Sequence, residues 1–476
     1  MSRTSGIANI RMGFFAQLMV LFFFAVFPGQ AWANDEYTLL VKGALNYYQQ
    51  IQESNTPRES DRGEDGLLLM RPDVAQSLGL EVYVDENYLE SQKQFDNAEE
   101  FLQQAIDAMK TTAKEEMEGE HVADVAHFAC LYQKSIRSAV EKLEKYRTVL
   151  HTKKDERFDQ VKCVDLLRRL FKEGLADNGW NLRDALGYVY NKCQGIDSID
   201  GCPLLPENVP FVNSVFNYFV ANADPEELQR FDTDSTRDYK GSPTLDSLKK
   251  SLGGVERRYL PFLEPVLQDP VKNKYMVRPL LFLALMRQES RFDPRSVSQV
   301  GAAGITQIMP GTGTLLGMTS IFSPPYFNEA RKVMLKERRM KARALKLIQE
   351  PGEYCLEADA REARRVMQEA LSFKKKRVEL YDRYRRELLS NGEDERLDPK
   401  KAIEAGYQLF SELMQEQRGD ISRALAAYNA GSRVVKKYKG LPPYPETVTF
   451  RNRVLRYYRQ YLNRMGWSAM KGRSNG

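Results

Sequence analysis

The stretch Leu283-Ala284-Leu285-Met286-Arg287-Gln288-Glu289-Ser290-Arg291-Phe292-Asp293-Pro294 decides how this 476-residue chain is read. The apolar spacing predicts a helix from Met276 to Ser290 that ends on Glu289-Ser290. Pro294 then disfavours helical geometry in the residue before it. A carboxyl group at the end of an apolar helix is partly desolvated, which raises its pKa and favours the protonated acid. Working outward, Val300-Gly301-Ala302-Ala303-Gly304 is a tight turn of small residues, followed by Ile305 to Met309 and Pro310-Gly311-Thr312-Gly313. Glycines this near an acid let the backbone approach another group closely. The three histidines, His121, His127 and His151, all lie in the first third. That excludes a Ser-His-Asp or Cys-His centre, and the usual histidine-based zinc sites, from the rest of the chain. Glu289 is therefore the candidate proton donor.

Three further blocks follow in order. They are Ser298-Gln299-Val300-Gly301-Ala302-Ala303-Gly304-Ile305-Thr306-Gln307-Ile308-Met309-Pro310-Gly311-Thr312, then Ala424-Leu425-Ala426-Ala427-Tyr428-Asn429-Ala430-Gly431, then Pro445-Glu446-Thr447 leading into a Tyr-rich helix through Tyr457 and Tyr458. Asp398-Pro399 and Ile403-Glu404-Ala405-Gly406 belong to the helix before the Tyr-Asn motif. With the opening stretch, these blocks resemble the family 1 lytic transglycosylases, whose catalytic domain is goose-type lysozyme-like (the SLT domain of the soluble enzymes). The resemblance spans roughly residues 270–460, apart from a long insertion.

The resemblance implies cleavage of the MurNAc-β-1,4-GlcNAc bond of peptidoglycan without water, leaving 1,6-anhydroMurNAc ends. Glu289 would act first as general acid, then as the base that takes the proton of the muramyl 6-hydroxyl. One carboxylate suffices for this, whereas hydrolytic glycosidases use two. Ser298, Gln307, Thr306 and Tyr428 match substrate-binding positions, and Ser290, Asn429 and Glu446 match supporting ones. Asp293 is better explained by a turn or cap than by catalysis. Two alternatives stand beside this reading: a hydrolytic muramidase, and a catalytically inactive cell-wall-binding scaffold. The chain departs from the family where Gly304-Ile305-Thr306-Gln307 replaces the usual Gly-Leu-Met-Gln, and where Phe450 stands in place of a frequent Tyr. No cofactor, metal or nucleic acid is expected.

The expected fold is all-α. Residues 1–33 read as a signal peptide, with Arg3 and Arg11 before an apolar run and Ala31-Trp32-Ala33 as cleavage site. A helical N-terminal domain is expected over 34–255. A lysozyme-like, mainly helical catalytic domain is expected over 256–476, with an inserted helical hairpin in 319–394. The stretch from Arg230 to Val255 reads as a loop or boundary, and no clean repeat period is visible. Asn34 to Glu120 holds seven basic and twenty acidic residues, while His121 to Gly476 carries a net +16. Within the hairpin, Glu329 to Glu350 holds eight Lys or Arg against three Glu. Peptidoglycan glycan strands are the expected partner. A periplasmic protein could also dock on the acidic N-terminal domain or on the basic hairpin 328–389. The implied location is the periplasm of a Gram-negative bacterium. Export permits disulfides, and Cys193 and Cys202, which bracket a short loop, are the best-placed pair. Cys130 and Cys163 could bridge two helices, leaving Cys355 free.

Overall fold

A computed structural model describes residues 37–54, 61–111, 118–178, 181–198, 201–230, 245–349 and 357–466. The expected signal peptide and Cys355 lie outside the described residues. Among the described residues the fold is helical without a sheet, its only β-type pairings being three isolated bridges. The first half holds α1 (Thr38–Glu53), α2 (Pro72–Ser77), α3 (Glu86–Lys110), α4 (Glu118–Leu150), α5 (Gln160–Asp177), α6 (Leu182–Gln194) and α7 (Val209–Asn222). Three helices connect the halves: α8 (Pro225–Arg230), α9 (Leu245–Ser251) and α10 (Gly254–Gln268). The second half holds α11 (Pro279–Ser290), α12 (Pro310–Leu315), α13 (Pro325–Gln349), α14 (Glu357–Asn391), α15 (Pro399–Glu416), α16 (Ile421–Ala430), α17 (Ser432–Lys437) and α18 (Pro445–Arg464).

Local chemistry sets many of these boundaries. The side chains of Asp85, Asp159, Asn181, Asp398 and Asp420 each accept a hydrogen bond from a first-turn amide, starting α3, α5, α6, α15 and α16. The catalytic-candidate helix starts at Pro279 rather than Met276. Met276 has φ 55°, and Pro279 at the first helical position lacks only an N–H that would be unpaired anyway. Helix α9 occupies part of the stretch expected to be a loop.

Helix α11 is the centre of the main core. Its residues from Leu280 to Met286 are all buried, and the cluster they join runs from Tyr37 to Leu462. Each fully buried Leu or Phe contributes about 1.5–3 kcal/mol relative to exposure. Among the described residues, no helix is long and apolar enough to cross a membrane.

The expected hairpin is present as α13 and α14. It docks on a second hairpin, α3 and α4, through a shared apolar cluster that includes Met109, Val125, Ile348 and Val366. Arg364 Nη1 donates to Ala108 O at 2.6 Å and Gln368 Nε2 to Met109 O at 2.8 Å across this junction. The insertion thus packs against the chain's own N-terminal hairpin.

No short repeat period is visible in the sequence, but the helices repeat at the scale of the whole chain. Helices α1 to α7 reappear in order as α11 to α16 and α18, with α17 added. Helices α2 and α12 have 6 residues each, and α5 and α15 have 18 each. Two copies separated by some 238 positions leave no short period to detect.

The expected disulfide is not formed. Cys193 and Cys202 are both free thiols, as are Cys130 and Cys163. Cys193 points into the core beside Cys163 and Tyr48, whereas Cys202 Sγ accepts from Arg456 Nη2 at 3.4 Å. Burial pushes the Cys163 and Cys193 thiols up to about 12, so neither is a reactive thiolate near neutrality.

Candidate active site

Glu289 is half-buried in the last turn of α11. The chain leaves this helix through two consecutive non-glycine residues in left-handed geometry, Arg291 at φ 54° and Phe292 at φ 66°. Such residues persist only where their surroundings hold them. Here Tyr259 of α10 stacks on Phe292 at 6.0 Å between ring centroids, and its hydroxyl donates to Phe292 O at 3.0 Å. Asp293 accepts the Arg295 amide at 2.9 Å, a turn contact. Ser290 Oγ donates to Ile305 O at 2.8 Å, tying the end of α11 to the glycine loop.

That loop closes on itself. Ala303 and Ile308 form a bridge, with Gly304 at φ 82° and Gln307 at φ 50° between them. A Cβ on Gly304 would sit 1.7 Å from Arg396 O, so glycine is required by both conformation and space. Ser298 Oγ accepts from the amides of Val300 (3.3 Å) and Ala302 (3.0 Å). Gln307 Nε2 donates to Ser296 O at 3.0 Å and Gly304 O at 2.8 Å. Both side chains are half-buried and both brace the loop.

Thr306 departs from the substrate-binding role that the resemblance implies. Its side chain is fully buried and faces α15. Its hydroxyl donates to Ala402 O at 2.8 Å, and it packs on Gly406, where a Cβ would come within 2.6 Å of Thr306 Cβ. The closed loop turns this residue inward. What Thr306 presents toward Tyr428 is its carbonyl, which accepts from the Tyr428 hydroxyl at 2.8 Å.

Glu289 and Tyr428 also meet electrostatically. Burial pushes Glu289 up to about 8, and the carboxylate of Glu446 adds to the shift. Burial likewise raises the Tyr428 hydroxyl well above its ordinary value, with Glu289 adding to it. Glu446 lies exposed in the first turn of α18. The next residue, Thr447, donates from Oγ1 to Asn429 Oδ1 at 2.7 Å, so α16 and α18 are pinned together beside the acid.

Beneath the loop lies a group that the motif reading missed. Arg396 and Asp394 form a fully buried pair, with Nη2 and Oδ2 2.7 Å apart. Arg396 Nη1 donates to Gly301 O and Ile308 O, both at 3.2 Å, and Nη2 to the Tyr384 hydroxyl at 2.7 Å. The sequence does carry a signal for it. Asp394-Glu395-Arg396-Leu397-Asp398 repeats Asp155-Glu156-Arg157-Phe158-Asp159 with one change. Among the described residues there is no group of three or more His, Cys, Asp or Glu placed to hold a metal ion.

With this geometry in place, comparison with known families gives a match to the Transglycosylase SLT domain over residues 269–333 and 371–447. The match falls in two pieces. The gap between them falls within α13 and α14. The match supports glycan cleavage in general and does not fix the bond. Among solved structures, the 70 kDa soluble lytic transglycosylase of Escherichia coli is similar at 13% identity, covering 99% of this chain and 78% of that one, with a TM-score of 0.26. An inactive mutant of lytic transglycosylase Slt from Pseudomonas aeruginosa is similar at 13% identity, covering 91% and 74%, with a TM-score of 0.23. Both likenesses are too slight to carry a structural argument.

Proposed function

We propose that this protein is a peptidoglycan lytic transglycosylase whose general acid is Glu289. The observation that supports this most is the raised pKa of about 8, which leaves Glu289 mostly protonated at neutral pH. Its proton passes to the glycosidic oxygen as the C1–O4 bond breaks. The muramyl 6-hydroxyl oxygen then bonds to C1, and its proton returns to Glu289. The product is a 1,6-anhydroMurNAc end, with no water consumed and the acid regenerated. Tyr428, fixed by Thr306 O, stands beside the acid and lines the glycan site; Ser298 and Gln307 hold the loop opposite. Residues 1–33 support export, and a cell wall in the periplasm supplies the substrate.

Digestion of purified sacculi by the mature protein tests the reading. Anhydro-ended fragments, lost in Glu289→Gln, are the expected result. Reducing ends would make the protein a hydrolytic muramidase, and equal release by Glu289→Gln would remove Glu289 from the chemistry. General acid catalysis contributes about 10²–10⁴-fold, so the variant should lose at least that range.

A further inference from the structure

The two halves of the chain repeat one fold, and the half without the SLT match keeps the loop geometry found beside Glu289. The correspondence holds atom by atom in the buried arginine. In the second half Arg396 contacts Asp394, Gly301 O, Ile308 O and the Tyr384 hydroxyl. In the first half Arg157 contacts Asp155 (2.9 Å), Gly63 O (3.4 Å), Met70 O (3.0 Å) and the Tyr146 hydroxyl (2.7 Å). Each pair of partners is 238 or 239 positions apart in the sequence. Backbone geometry repeats too. Gly63, Gly66, Leu69 and Gly79 have φ 95°, 81°, 51° and 88°, against 88°, 82°, 50° and 86° for Gly301, Gly304, Gln307 and Gly317. Asp65 bridges Met70 as Ala303 bridges Ile308.

The later motifs recur as well. Tyr190-Asn191 stands where Tyr428-Asn429 does. Pro206-Glu207-Asn208-Val209, followed by Phe211 and Asn213, answers Pro445-Glu446-Thr447-Val448 with Phe450 and Asn452. Asn208 Nδ2 donates to Asn191 Oδ1 at 2.9 Å, the counterpart of Thr447 to Asn429. The copies also touch each other. Asn213 Nδ2 donates to Leu441 O at 2.7 Å and Asn452 Nδ2 to Leu204 O at 2.8 Å.

One feature is not copied. Gln52-Glu53-Ser54 echoes Gln288-Glu289-Ser290, yet Glu53 is exposed and accepts from Gln49 at 2.9 Å. Tyr47 and Tyr48 of α1 face Tyr190, with Phe211 against all three rings at 5.2 to 5.6 Å. Tyr48 is buried, whereas Tyr47 and Tyr190 are half-buried, packed at the edge of the main core. Aromatic rings stand where the second half has its acid, and the open edges of half-buried tyrosines suit the apolar faces and hydroxyls of sugars.

We propose that the N-terminal half is a second glycan-binding lobe, which holds a strand on Tyr47 and Tyr190 without cutting it. The proposal rests on the glycan reading of the second half. The acidity of residues 34–120 argues for contact with uncharged sugar faces rather than with the carboxylates of the wall peptides.

The test uses the full mature chain carrying Glu289→Gln, titrated calorimetrically with the N-acetylglucosamine hexamer, which is uncharged. Two sites per chain are expected, falling to one in Tyr47→Ala or Tyr190→Ala, or at least a roughly tenfold weakening at one site. Tyr47→Phe keeps the ring and should keep the site. Hydroxyl-radical footprinting of the chain with its tyrosines intact should show Tyr47 protected by the hexamer, which needs no variant to fold. A single site insensitive to Tyr190→Ala, no binding, or unprotected Tyr47 would overturn the proposal. Sacculus cleavage by the Tyr47→Ala chain with Glu289 intact reads the other lobe separately. Cleavage by that chain, with only one hexamer site already in the chain whose tyrosines are intact, defeats only the second lobe; two sites in the tyrosine-intact chain, without cleavage when Glu289 is present, defeat only the catalytic reading.

Discussion

Arg396 of the turn before α15 donates to the hydroxyl of Tyr384 at 2.7 Å, and Tyr384 belongs to the insertion helix α14. The same guanidinium holds two carbonyls of the glycine loop. A residue of the hairpin is therefore one hydrogen bond removed from the loop that carries Thr306 and Gln307. Removing Arg396 would leave Asp394, itself fully buried, as an uncompensated charge. Arg396→Ala should cost about 3–5 kcal/mol in denaturant unfolding. Tyr384→Phe, which loses one hydrogen bond, should cost about 1 kcal/mol. Equal small losses in both would mean that the pair does not hold the loop.

The pH dependence of cleavage follows from Glu289. Its protonated form is the working acid, so activity is present below its folded pKa and declines as pH rises through about 8. Glu446 raises that pKa, so Glu446→Gln should move the alkaline limb of kcat/KM toward lower pH. For stability the sign is the same. The folded state binds the proton more tightly than the unfolded chain, whose Glu titrates near pH ~4.3, so this contribution is lost between there and about 8. An unmoved limb in Glu446→Gln would separate the two carboxylates electrostatically.

Asp184 gives the opposite slope. Burial alone would raise it, but Arg451 and Arg459, each 2.6 Å away, hold it at about 2. Its folded pKa lies below the unfolded value of ~3.9, so its stabilisation is present above that pH and lost as pH falls toward 2. Acid unfolding followed by circular dichroism should shift when Asp184 becomes Asn, with the difference vanishing at the lowest pH.

Gly304→Ala should disable the loop without touching any polar side chain. The added Cβ meets Arg396 O at a distance no rotamer change can relieve, and φ 82° is unfavourable for alanine. The expected result is loss of cleavage together with a lowered Tm. The equivalent Gly66→Ala meets Arg157 O at 2.4 Å and should lower Tm while Glu289 remains in place.

Legibility in the sequence followed chemistry that is local. Glu289 at the end of an apolar run, the glycine loop and the α13–α14 hairpin could all be read, because helix periodicity and glycine spacing act within a few residues. Thr306 could not. Its position in the motif suggested a cleft residue, and only the closed loop turns it onto Gly406. The disulfide failed similarly, since spacing said nothing of Cys193 pointing at Tyr48 and Cys163. The duplication was legible in the repeated Asp-Glu-Arg motif, but its two occurrences lie 239 positions apart and most surrounding side chains have changed.

The joined hairpins bear on how this protein can be handled. A fragment cut to the SLT-matched region would keep α13 and α14 but lose α3 and α4, uncovering Ala344, Ile348, Ala363 and Val366 together. It would also cut α18 within its first turn, removing Arg451 together with its partner Asp184. Such a fragment is prone to aggregate on its exposed apolar stripe, and its inactivity would say nothing about Glu289. Point substitutions in the whole chain are the sounder instrument, because in this protein a boundary of sequence similarity is not a boundary of folding.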